Sequence, residues 1–197
     1  MTTSPNRRRG DDLEQAIYNA AYELLSTHRY QEVTLSKIAA AANTSRSVLY
    51  RHWNNAFEIM FAAMHHHLRQ TNATLPNFEF DKGNLRANVI YTGVQFNQIR
   101  NSMLPEFQHM MIAEMHNHPK AIHKLLIDMT TGNLAMMAYV IKLAQRTGEL
   151  THQPSDNAQL ALFQLIRYRF MVEDQSLTTD DITQLVDDVV MPALLAH

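Results

Sequence analysis

The chain contains no cysteine. Disulfides, thiolate metal centres and cysteine nucleophiles are therefore excluded, and the absence fits a reducing cytoplasm. Glycine and proline are scarce, at 5 and 6 residues, which disfavours turn-rich β architectures and favours helices. No apolar run approaches the roughly 20 residues that a membrane-spanning helix needs. The opening MTTSPNRRRGDD has no apolar stretch behind its arginines, so it is not expected to be a secretory signal. There is no glycine-rich phosphate loop, no His-Glu-x-x-His pair and no nucleophile elbow. Nothing in the pattern calls for an enzyme or a cofactor, although a helical enzyme stands as an alternative reading.

What is present is a helix-forming chain of 197 residues, 46% hydrophobic and 18% charged. Its net charge of −2 hides an asymmetry. Residues 1–53 carry seven Lys/Arg against five Asp/Glu, and the remainder carries ten against fourteen. A basic head on an acidic body suits a head that meets a polyanion.

Apolar periodicity predicts about nine helices and no strand. Ile17, Ala20, Ala21, Leu24 and Leu25 recur at helical spacing after Asp11. Thr34 is a good N-cap for a second helix that turns Leu35, Ile38 and Ala39 inward. Ser45 stands at the start of a short third helix, and a longer fourth runs through Phe57, Met60, Phe61, Met64 and Leu68. Further helices are expected near 84–101, 105–116, 119–147, 156–173 and 180–195, with Thr179 and Asp180-Asp181 opening the last. The expected division is a flexible basic arm at 1–10, a small N-terminal unit at 11–55, a connecting helix and linker at 56–83, and a helical body at 84–197. Pro and Gly place the linker itself at 74–83.

The stretch TLSKIAAAANTSRSVLYRHW (34–53) carries the densest information. A helix-turn-helix packs two short helices across a turn of about three or four residues. The alanines permit close approach. Ala42-Asn43-Thr44 forms the turn, where asparagine tolerates a left-handed backbone. Val48 and Leu49 turn inward and Trp53 covers the base. Arg46, Ser47, Tyr50 and Arg51 are left facing out, as a recognition helix requires. An ordinary helical hairpin with a solvated face would share this spacing.

The segment 33–53 resembles the DNA-binding signature of the TetR/AcrR family of transcriptional regulators. The matching residues are Val33-Thr34, Ile38-Ala39, Ser45, Leu49-Tyr50, Arg51, His52 and Trp53. The sequence departs from the signature at Arg29, Asn43, Thr44 and Asn55-Ala56. The resemblance implies that Thr34, Tyr50 and His52 contact phosphates and that Arg46 and Ser47 read base edges. Lys37 points along the second helix, within reach of a phosphate, and Arg51 faces outward. The resemblance also implies that 11–55 is the DNA-binding unit and 84–197 the ligand-binding and dimerisation domain. Ser45 is expected to act mainly as a cap, and Asn55 can offer only a neutral hydrogen bond. Arg7-Arg8-Arg9 would lie along the backbone or in a minor groove, or stay solvated. The family also implies a homodimer on a pseudo-palindromic operator, released or retained by a small effector. A helical interaction module that does not bind DNA is the remaining alternative.

The segment 165–194 resembles the last two helices of one TetR subgroup. Phe163, Ile166, Phe170, Ile182, Leu185, Val186 and Val189 are the expected dimer contacts, or in part the chain's own core. The 12 methionines concentrate in the middle helices. Flexible thioethers adapt to varied apolar partners. Met103, Phe107, Met110, Met111, Met136, Met137 and Tyr139 are the candidate lining of a lipophilic or aromatic effector site. His65-His66-His67 point in three directions on a helix. They and His109, His116, His118 and His123 are expected to be solvated or singly hydrogen-bonded, with no metal.

Overall fold

A computed structural model of the chain describes residues 10–71 and 80–196. Residues 1–9 of the expected basic arm, with Arg7-Arg8-Arg9, and most of the expected linker lie outside them. The described residues form nine helices and no strand. They are α1 (Asp11–Thr27), α2 (Leu35–Ala41), α3 (Arg46–Leu49), α4 (Ala56–Gln70), α5 (Leu85–Asn101), α6 (Pro105–Asn117), α7 (Pro119–Thr147), α8 (Asp156–Met171) and α9. The last helix runs through Thr179–Leu185, a π segment at Val186–Val190, and Met191–Leu195. The π segment lies just ahead of Pro192. A proline cannot donate to the helix ladder and its ring crowds the carbonyl four residues back, which the wider turns relieve.

Local chemistry sets the helix starts. Thr34, Asn55, Asn84 and Ser155 each accept the N–H three residues on. The cap of α9 is Thr178, one residue before the expected Thr179. Its hydroxyl accepts from the Asp181 N–H at 3.2 Å while the Asp181 carboxylate accepts from the Thr178 N–H at 2.8 Å. That reciprocal pair is a capping box.

The described residues divide into two compact units. One joins the helices up to α4 with residues 103–116; the other holds residues up to 102 from the start of α5, and those from 117 onward. Most of α6 thus groups with the N-terminal helices, although the sequence expectation placed everything from 84 in one body. Two contacts explain it. Phe107 packs on Phe61 with ring centroids 5.8 Å apart. The Glu106 carboxylate accepts from the Tyr30 N–H at 3.0 Å. Such long-range partners cannot be read from periodicity.

The second unit has its own apolar core. Val89, Met137, Val140, Ile141, Leu162, Phe163, Ile166, Ile182, Val186 and Val190 are buried together. Arg86 and Asp187 join α5 to α9 through two parallel bonds of 2.6 and 2.8 Å. The helices approach closely at Gly93. A Cβ there would meet Ile182 Cγ2 at 2.8 Å and Leu162 Cδ1 at 3.1 Å. Gly132, inside α7, has nothing within 4 Å of the same atom. The two glycines should therefore respond with opposite signs. Gly132→Ala should stabilise by about 0.5–1 kcal/mol through helix propensity. Gly93→Ala should destabilise by roughly 1 kcal/mol, because overpacking outweighs that gain. Urea melts of both variants check this; stabilisation by Gly93→Ala would mean that Ile182 yields easily.

Candidate nucleic-acid interface

The recognition stretch rests on two short helices and one strained residue. Ala39 and Ala42 are buried, three residues apart, while Ala40 and Ala41 are exposed. Half of the alanine run therefore serves close packing. Asn43 has φ of 52°, in the left-handed region. The Thr44 N–H bonds the Ala39 carbonyl at 2.9 Å and the Asn43 N–H bonds the Ala40 carbonyl at 3.1 Å. This is a Schellman closure, in which asparagine takes the place usual for glycine. Arg29, the other departure at a glycine position, has φ of −62°, which any residue adopts.

Helix α3 has four residues, too few to be stable alone. It is held from below by Leu49, at 0% exposure. Val48 is only half-buried. Trp53 stands edge-on to Tyr18 of α1, with centroids 5.9 Å apart. Burial and the nearby Glu14 carboxylate push the Tyr18 hydroxyl up to about 12, so it stays neutral beside the indole.

With that seat fixed, the polar side chains face outward. Thr34, Lys37, Ser45, Arg46, Ser47, Tyr50, Arg51 and His52 are all exposed, and Asn55 is half-buried. The structure brings eight of the nine expected residues to accessible positions on consecutive elements. No Asp or Glu occurs between Thr34 and Phe57. This face is purely cationic or neutral, a signal in the sequence that net charge alone obscures. The Arg46 guanidinium lies 6.0 Å from the centre of the Tyr50 ring, so the two share one side of α3.

Two of these residues also have structural work. The Thr34 hydroxyl accepts from the Lys37 N–H at 3.3 Å, which leaves its own hydrogen to donate. Asn55 Oδ1 caps α4 by accepting from the Glu58 N–H at 2.9 Å, so its amide nitrogen is what it can offer outward. The Glu58 carboxylate in turn accepts from the Asn54 N–H at 2.9 Å and from Asn54 Nδ2. This clasp was not foreseen from the sequence. Ser45 differs from expectation. It stands at the N-cap position but its side chain makes no cap bond; its hydroxyl instead lies 2.8 Å from that of Ser47.

The other expected sites are divided. Met103, Phe107, Met110 and Met111 fall in the first unit; Met136, Met137 and Tyr139 fall in the second. Met136 and Met137 belong to the packed core there. The Tyr139 hydroxyl is bound to Phe80, accepting from its N–H and donating to its carbonyl. The seven do not line one site within either unit. Of the expected dimer contacts, Phe163, Ile166, Ile182 and Val186 are buried in their own chain. They cannot touch a second copy; the amphipathic stripe covers this chain's core. Phe170, Leu185 and Val189 keep accessible surface. The consecutive histidines go to separate aromatic neighbours: His65 to Phe61, His66 to Tyr18 and His67 to Tyr22. Burial, then the Arg69 charge, lowers the proton affinity of His65.

The model of "Bacterial regulatory proteins, tetR family" matches residues 17–63, a span that holds all nine of the residues above. An uncharacterised HTH-type transcriptional regulator of Mycobacterium bovis is 26% identical over 182 residues, covering 92% of this chain and 87% of the relative. The DNA-binding transcriptional repressor TetR of Mycobacteroides abscessus is 31% identical over 84 residues, 43% of this chain and 42% of its own length. A crystal structure of a TetR family transcription regulator is similar in fold, with a TM-score of 0.66 at 16% identity over 92% of this chain and 98% of that one. Among the described residues no helix is long and apolar enough to cross a membrane. The signature thus stands exposed on a helix-turn-helix within an all-helical fold of the same kind, and the chain belongs to the TetR family of transcriptional regulators.

Proposed function

We propose that this regulator is a cytoplasmic, ligand-responsive repressor that binds a pseudo-palindromic operator as a homodimer. The observation that carries the reading is the exposed set on α3, Arg46, Ser47, Tyr50 and Arg51, held out by the buried Leu49. Arg46 and Ser47 meet base edges. Thr34, Lys37, Tyr50, Arg51 and His52 meet phosphates, with Asn55 adding a neutral bond and Ser45 adjoining through Ser47. A four-residue helix reads too few base pairs to specify a site alone. Two copies must reach successive major-groove faces, about 34 Å or a multiple apart. Tyr168, Val172 and Val189 are large apolar groups left exposed on α8, just after it and on α9, and they support pairing through that part of the chain. The repressor of Mycobacteroides abscessus that shares the head supports the sign of regulation. A small effector acts by favouring one arrangement of the two heads over another.

The chain should sediment as a dimer at micromolar concentration. It should shift a duplex from the region upstream of its own coding sequence, and binding should weaken steeply with salt. Monomers alone, with and without that DNA, would overturn the reading.

A further inference from the structure

Two arginines in the second unit hold guanidinium nitrogens sealed from solvent with no counter-ion among the described residues. Arg100, in the last turn of α5, is 5% exposed. Its Nε and Nη2 are sealed from solvent and have no hydrogen-bond partner. Its guanidinium lies over Phe170, with Cζ 3.4 Å from the ring centre. Arg167, one turn before Phe170 on α8, also has a sealed Nη2 with no partner. Burial lowers the proton affinity of both, and for Arg100, where the Arg167 charge adds to it, the value falls to about 9. Among the described residues, neither has a carboxylate partner. One turn before Arg100, Asn97 donates Nδ2 to the Leu177 carbonyl at 2.9 Å and leaves its Oδ1 buried and unpaired.

These four residues are two pairs three positions apart on packed helices, so each pair shares a face. An aromatic ring can meet the flat of a guanidinium but not its N–H edges. Those edges want oxygen, and the planar fork matches a carboxylate or phosphate. Two like charges brought together and taken out of water are costly unless an anion joins them. Asn97 Oδ1 adds an acceptor for one hydroxyl or N–H of the same molecule.

We propose that Arg100 and Arg167 bind the oxyanion group of a small organic acid, a carboxylate or phosphate on an apolar body. Asn97 lies beside it, and Phe170 yields on its entry. Phe170 is half-buried, and its ring covers the Arg100 guanidinium. Arg100 is too deep in its own chain to be met by a carboxylate fixed to a second chain's surface. A free molecule is under no such constraint. The site deepens the ligand response proposed above by fixing the charge of the ligand, and its test needs no DNA, so loss of operator binding would leave it standing.

The test uses the full chain with sodium octanoate, sodium benzoate and inorganic phosphate, and octanamide as the uncharged match. Melting temperature and titration calorimetry are read. At least one anion should raise the melting temperature saturably while octanamide does not. Arg100→Met and Arg167→Met should each weaken that binding at least tenfold, with an unliganded melting temperature unchanged or higher. Arg100→Lys, which keeps charge but not the fork, should fall between. Where Arg100→Met does not fold, the half-buried Arg167 carries the test. No response to any of the three anions, or an equal response in the methionine variants, would overturn the proposal. So would conversion of a dimer to monomer by Arg100→Met with no acid present, because the oxyanion would then come from a second copy.

Discussion

Leu49→Ala is expected to cost about 2–5 kcal/mol of stability and to abolish operator binding without removing any group that meets DNA. Leu49 is completely buried. It is also the residue through which α3 is hydrogen-bonded onward, since the His52 and Trp53 N–H groups both bond its carbonyl at 3.0 Å. A helix of one turn contributes almost nothing to its own stability. Its position depends on this one apolar anchor, with Val48 half-covered beside it and Trp53 against Tyr18. Truncation leaves a cavity directly beneath Arg46 and Tyr50, and α3 can collapse into it. Leu49→Met conserves volume and should cost less than about 1.5 kcal/mol, with operator binding retained. Denaturant melts and gel shifts on both variants give the comparison. Full operator affinity in Leu49→Ala would show that α3 is held by something other than its anchor.

The head was legible because its determinants are local. Thr34 caps α2 through a bond to a residue three positions away, and a cap of that span is visible in sequence. Asn43 adopts its left-handed turn for the same local reason. Ser45 was misjudged by a similarly short distance, because the hydroxyl of Ser47 competes for it. Beyond the head, the pattern underdetermines the partner. The stripe of Ile182, Leu185, Val186 and Val189 shows that one face of α9 is covered, but not by which chain. The core of this chain takes Ile182 and Val186 and leaves Val189 out. Methionines at helical spacing likewise do not say whether they meet a ligand or one another. The grouping of α6 with the first unit rests on Phe107, Phe61 and Glu106, contacts separated by dozens of residues. Arg100 and Arg167 read as surface residues in a sequence, where charge normally means exposure. Only the packed helices reveal that Arg100 is buried and Arg167 half-buried.

Arg46→Ala and Tyr50→Phe should separate base reading from phosphate holding. Both side chains are exposed on the same side of α3. Arg46 is at the N-terminal end of the helix, the end that enters the groove in helix-turn-helix complexes. A guanidinium bidentate to a guanine edge discriminates among bases by about 1–3 kcal/mol, roughly 5- to 150-fold. Arg46→Ala should therefore lose about that much affinity for the operator and lose less for unrelated duplex, so the preference itself narrows. Tyr50→Phe removes one hydroxyl and no charge. On the proposed assignment that hydroxyl meets a phosphate, so binding to every duplex should fall by a similar, smaller factor, and the preference should survive. Because the two groups are neighbours, the double variant need not be the sum of the singles, and it is the pair of single variants that decides. Each is titrated against operator and against shuffled duplex at one fixed salt concentration. Equal loss of preference in both would sink the assignment and place Tyr50 at a base edge as well.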